Sequence, residues 1–163
     1  MTQKGLRAGV AIIALAVGTV APAQENVRPR PSLNLYGSTG LIDMPSAEMQ
    51  PDGEISISYS QFGGFARRNF SFQILPRVSG TLRYSSIENW GRVDNPTFEL
   101  YDRSFDIEFL LLEEDYQSWL PSLKLGFRDF LGTGVYSGEY LVGSKTIADD
   151  FTLTAGIGWG RLS

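Results

Sequence analysis

From Glu54 to Trp159 the sequence repeats with a period of two. Ile55, Ile57 and Tyr59 alternate with Ser56, Ser58 and Ser60, and Phe70, Phe72 and Ile74 with Ser71 and Gln73. Val78, Leu82 and Tyr84 share parity with Gly80, opposite Ser79, Thr81, Arg83 and Ser85. Phe105, Ile107 and Phe109 oppose Asp106 and Glu108; Leu123, Leu125 and Phe127 oppose Lys124 and Arg128. Phe151, Leu153, Ala155, Ile157 and Trp159 oppose Thr152, Thr154, Gly156 and Gly158. Residues 137–146 are less regular, with Tyr140 and Val142 opposing Glu139, Leu141, Gly143 and Lys145. Such alternation puts one side-chain set on each face of a sheet, and no comparable stretch carries a helical period. Turn signals at 63–66, 75–77, 88–102, 113–119, 129–136 and 147–150 separate the segments. The expected fold is all-β, an antiparallel up-and-down meander of about seven strands.

What the apolar face meets decides the class. In a soluble sandwich it meets a second sheet, and in a membrane barrel it meets lipid while the polar face lines a lumen. Three features favour part of an outer-membrane barrel. Aromatics cluster near strand ends (Tyr59, Phe62, Tyr84, Trp90, Tyr101, Trp119, Phe127, Tyr136, Tyr140, Trp159). The polar face is mostly Ser, Thr and Gly with few charges, and several segments approach the 9–11 residues of a tilted spanning strand. The third feature is an export signal. The alternative is a secreted or periplasmic β-sandwich that binds carbohydrate through exposed aromatics.

That signal is residues 1–23: Lys4 and Arg7, an apolar run over 8–20, and Ala21-Pro22-Ala23 as the cleavage pattern. The run is too short for a good spanning helix. Losing Lys4 and Arg7 takes the formal charge from −4 to −6. Residues 24–35, with Pro29 and Pro31 beside Arg28 and Arg30, read as a linker. Tyr36-Gly-Ser-Thr-Gly-Leu-Ile-Asp-Met-Pro-Ser-Ala47 is broken by glycine and proline yet partly apolar, which suits a structured loop tucked against or inside something larger.

The chain has no Cys and no His. This excludes disulfides, His-based triads and Cys/His zinc sites, and with no Cys after the apolar run a lipidated mature N-terminus is not expected. The acidic balance argues against nucleic acid as a partner. No cofactor or metal is expected. Glu113-Glu114-Asp115 reads as a solvated loop, Gly132-Thr133-Gly134 as a turn, and Arg67-Arg68 as loop residues that could meet anionic lipid or glycan phosphates. The alternation places Arg83, Lys124, Arg128 and Lys145 on the polar face with Asp106, Glu108 and Glu139. These seven form the candidate lumen-facing network, either a structural ion-pair web or a path for a polyhydroxylated sugar chain.

The 36–47 segment, the following Gln50-Pro-Asp-Gly-Glu-Ile-Ser56, the stretch from Gly126-Phe-Arg-Asp-Phe-Leu-Gly-Thr-Gly to Gly143-Ser-Lys145, and the closing Phe151-Thr-Leu-Thr-Ala-Gly-Ile-Gly-Trp-Gly-Arg-Leu162 resemble the YjbH family. The resemblance covers about residues 35–162. It implies an exopolysaccharide-associated outer-membrane β-barrel of Gram-negative bacteria, working beside other proteins of one export pathway. It supplies no catalytic residues, so a non-enzymatic role is expected. Family members are several times longer, so the resemblance is to their N-terminal part. The odd strand count agrees with a piece of a larger barrel; an eighth strand from 33–42 is the other way to make the number even.

Overall fold

The computed structural model describes residues 30–90, 98–114, 119–148 and 151–161. The signal-peptide reading and the first part of the linker lie outside the described residues. Seven strands form one sheet in chain order, each antiparallel to the next. They are β3 (Ile55–Phe62), β4 (Phe65–Leu75), β5 (Val78–Trp90), β6 (Phe98–Leu112), β7 (Ser122–Gly132), β8 (Gly138–Ala148) and β9 (Phe151–Gly160). A two-residue hairpin, β1 (Gly40–Leu41) with β2 (Met44–Pro45), precedes them as a separate small sheet. Among the described residues there is no helix. The seven-strand sheet curls into a half-barrel.

Alternation explains both faces of that curve. Ile57, Leu82 and Ile157 on the convex face are 81%, 51% and 66% exposed. Asn69, Ser71, Thr81, Arg83, Asp106, Glu108 and Lys124 on the concave face are buried. The buried apolar cluster is small, consisting of Ala47, Tyr140 and Val142. The sheet is therefore apolar outside and polar inside. Among the described residues no second sheet covers the convex face.

Several strands are longer than their best-patterned stretches. Arg67 and Arg68 lie in β4, not in a loop, because Gly63 and Gly64 alone make the turn, both at positive φ. The expected 88–102 loop is shortened from both sides, since β5 reaches Trp90 and β6 starts at Phe98. Residues 129–132 belong to β7, where a bulge absorbs Asp129 at φ 51° and re-registers the strand between the Ile107–Phe127 and Phe105–Leu131 pairs. Polar Arg, Asn, Asp and Gly break the apolar pattern at these ends, while pairing with a long neighbour keeps the backbone extended.

The 33–47 segment supplies no eighth wall strand. It folds back on itself through a Leu33–Thr39 bridge and the β1–β2 hairpin, and enters the concave side. Gly37 makes this fit possible. Its φ is +86°, and a Cβ there would lie 2.6 Å from Asn69 Cβ.

In β8, register sets Tyr140, Val142 and Ser144 opposite Gly126, Lys124 and Ser122, so these β8 residues face inward. This corrects two expectations. Tyr140 is not part of an outward aromatic girdle, and Glu139 and Lys145 leave the concave network for the other face. The physical reason is Gly126, whose missing Cβ leaves room for the Tyr140 ring. Gly126→Ala overlaps that ring and should lower stability by about 1–3 kcal/mol. Urea denaturation of the whole protein measures the loss; Tyr140→Ser in the same background should recover part of it, and Tyr140→Phe should not.

Candidate functional site

The concave face is a charged surface closed by the inserted 33–48 segment, here termed the plug. β4 contributes Arg67, β5 Arg83, β6 Asp102, Asp106 and Glu108, and β7 Lys124, Arg128 and Asp129, all buried. Four cations thus face four carboxylates. Arg83 grips Asp106 with two hydrogen bonds, Nη1 to Oδ2 at 2.6 Å and Nη2 to Oδ1 at 3.0 Å. The Asp129 backbone N–H donates to the same Oδ1 at 2.8 Å. Lys124 Nζ lies 3.3 Å from Glu108 Oε2, which also accepts from Ser79 Oγ at 2.8 Å. The Tyr140 hydroxyl donates to Glu108 Oε1, and Thr133 Oγ1 donates to Asp102.

The plug is bound chiefly through its backbone. Leu35 O accepts from Asn69 Nδ2 and Ser60 Oγ, Tyr36 O from Arg83 Nη1 at 3.3 Å, and Gly37 O from Ser71 Oγ at 2.6 Å. Lys124 Nζ donates to Thr39 Oγ1 at 2.7 Å, and the Ala47 N–H donates to Ser144 Oγ at 2.9 Å. The Tyr36 ring, 3% exposed, sits among three guanidinium groups. Arg128, Arg67 and Arg83 lie 4.0, 4.6 and 5.1 Å from its centroid. The electron-rich ring face attracts each cation and partly replaces the water each has lost.

Of the seven residues expected on the polar face, Arg83, Asp106, Glu108, Lys124 and Arg128 come together there. Glu139 and Lys145 do not. Lys145 Nζ instead lies 2.9 Å from Glu114 Oε1, at the foot of the β6–β7 connection. Arg67, Asp102 and Asp129 take the vacated roles in the charge balance, and Tyr36 and Tyr140 complete the set. Continuing the parity back from Asn69 to Arg67, and from Ser104 to Asp102, points to two of these. Nothing in the local pattern marks Asp129, which the bulge turns inward, or Tyr36, which arrives from a distant segment.

Asp106 and Glu108 are engaged on both oxygens by neighbouring side chains and backbone, as befits charges that hold a structure together. Among the described residues no group of three or more carboxylates converges to hold a metal ion. A polar crevice of about 380 Å³ remains beside the plug, lined by Glu48, Gln50, Glu114, Ser122, Thr146 and Thr152.

Breaking a buried ion pair leaves an uncompensated charge, which costs about 3–5 kcal/mol, whereas replacing both partners is far milder. Lys124→Met should therefore destabilise the protein strongly, and Lys124→Met with Glu108→Gln should recover most of the loss in urea midpoints. Glu114 gives a pH signature. Burial raises its carboxyl, but the bonds from Lys145 and Thr146 outweigh this and hold it below the ordinary glutamate value. Its stabilising effect is complete above that ordinary value and disappears as pH falls through the lowered one. Urea midpoints of wild type and Glu114→Gln should differ near neutrality and converge in acid.

Residues 32–163 match a family model described as "Exopolysaccharide biosynthesis protein YbjH". A relative named "Uncharacterized lipoprotein YjbH" from Escherichia coli (strain K12) is 34% identical over 160 residues, covering 94% of this chain. The match spans 22% of that relative's length. No solved structure matches. The chain, matched along nearly its whole plugged half-barrel, belongs to the YjbH family of exopolysaccharide biosynthesis proteins.

Proposed function

We propose that the chain builds part of an outer-membrane β-barrel that serves exopolysaccharide production or export without catalysing a reaction itself. The observation that carries this reading is the inverted polarity of the sheet. Its convex face is largely apolar and open, while its concave face is charged and filled by the plug. Water on the convex side would meet large aliphatic and aromatic side chains along every strand, an arrangement a bilayer stabilises and an aqueous surface does not. Strands of 8–15 residues are long enough to cross a hydrocarbon layer at a tilt. The edges of β3 and β9 need further strands, because unpaired backbone in lipid is prohibitively costly.

Family membership supports the pathway, and the name of the Escherichia coli relative supports an envelope location. In this reading bilayer lipid covers the convex face and other proteins of the same pathway share the polysaccharide. The crevice beside the plug, rich in hydroxyl and carboxyl groups, offers hydrogen bonds suited to a sugar chain. The plug keeps the lumen closed at rest.

The test is fractionation of cells making the full-length protein. The protein should sediment with outer membranes and migrate faster unheated than boiled in detergent gels. Deleting its gene should lower surface polysaccharide, and restoring the wild-type gene should bring it back. Recovery in the soluble periplasm without a heat-dependent shift would overturn the barrel reading.

A further inference from the structure

Two cations of the convex face stand where simple lipid contact does not explain them. Two arginines stand in the same cross-strand row of outward-facing residues, Tyr59–Arg68–Tyr84–Arg103, set by the registers of β3 to β6. The row lies three residues in from the ends of β3 and β4 at Phe62 and Phe65. Arg68 rests between two rings, 5.7 Å from the Tyr59 centroid and 6.0 Å from that of Tyr84. Tyr84 in turn stacks on Tyr101 at 6.0 Å. Among the described residues neither Arg68 nor Arg103 has a carboxylate partner, in contrast to Arg83 and Lys124 on the concave side.

The next row of the same face is wholly apolar: Ile57–Phe70–Leu82–Phe105–Leu131. Both rows line an open groove of about 560 Å³. An unpaired cation on a lipid-facing wall is unfavourable, less so toward the interface. Arg68 and Arg103 stand two strands apart, on either side of Tyr84, and each carries a guanidinium fork, the group suited to bidentate bonding of a phosphate. The groove beginning one row deeper matches a hydrocarbon chain attached to it.

We propose that Arg68 and Arg103 bind the phosphate of an acylated, phosphate-bearing bilayer lipid, with an acyl chain lying along Ile57, Phe70, Leu82 and Phe105. This site rests on the membrane-barrel reading above. Charge complementarity selects the anionic headgroup, and the apolar row selects a lipid over a soluble phosphate or a free sugar chain. The arginines gain a counterion where water is scarce, and the lipid becomes a fixed part of the wall.

The experiment uses the full-length protein purified in zwitterionic detergent, with the heat-dependent gel shift as the measure of folding. Added lipid A carrying its phosphates should raise the temperature of unfolding; lipid A stripped of phosphate and inorganic phosphate alone should not. Arg68→Gln with Arg103→Gln should weaken lipid A binding about 10-fold or more. Arg68→Lys with Arg103→Lys should retain an intermediate effect, and the exposed turn variant Arg77→Gln should behave as wild type. An equal shift from the phosphate-free lipid, or a full shift in the double glutamine variant, would overturn the proposal. If that variant gives no folded band, Leu82→Trp carries the test: it fills the groove and leaves both arginines, and an unchanged lipid A response in it would also overturn the site. A heat-modifiable protein in outer membranes without a phosphate-dependent response refutes the lipid site alone. Absence from membranes refutes the barrel reading and the site together.

Discussion

Arg83 is the side chain on which the interior depends. One guanidinium holds both Asp106 oxygens across the β5–β6 pair, bonds the Tyr36 carbonyl and lies against the Tyr36 ring. It thereby ties two wall strands to the plug at one point. With a side chain fully removed from solvent, it is tolerable only because each unit of charge meets an opposite one or a ring face. The same rule extends outward to Lys124, Arg67 and Arg128. The interior is held more by ion pairs and hydrogen bonds than by apolar packing, with an apolar cluster reduced to Ala47, Tyr140 and Val142.

The plug's own carbonyls and Tyr36 occupy the donors of the concave face: Asn69, Ser71 and Arg83 bond plug carbonyls, and three guanidinium groups lie against the Tyr36 ring. The plug is bound by many individual hydrogen bonds and by one small apolar contact, Ala47 against Tyr140 and Val142, so its removal would chiefly exchange those bonds for bonds to water or to hydroxyl groups. Leu41, Ile42 and Met44 at the tip of its hairpin remain exposed and contribute little to holding it.

Much of the wall was legible in the residues. The pairs Ile57/Ser58, Leu82/Arg83 and Ile107/Glu108 sort the residues of their strands between the two faces, because successive side chains of a strand point to opposite sides of the sheet. The charge balance of the interior is legible in kind but not in all its members. Arg67, Asp102 and Asp129 sit where the apolar rhythm fades near strand ends, and local pattern does not separate a strand end from a loop there. Glu139 and Lys145 have inward parity only if the apolar Tyr140 and Val142 of β8 point outward, and the register turns those two inward.

The sequence by itself determined the all-β class, the number of wall strands, the face of most residues and the broken character of 36–47, since each follows from local periodicity and from glycine and proline. Tertiary structure alone decided the facing of β8, the inward turn of Asp129 and the seating of Tyr36 among three arginines. Each depends on a partner remote in the chain: Gly126 leaving space for Tyr140, Asp106 accepting from the Asp129 backbone, and the curled sheet bringing Arg67, Arg83 and Arg128 around one ring. A period of two reports only a residue's own strand, whereas these placements are set by what the opposite side of the half-barrel leaves unfilled.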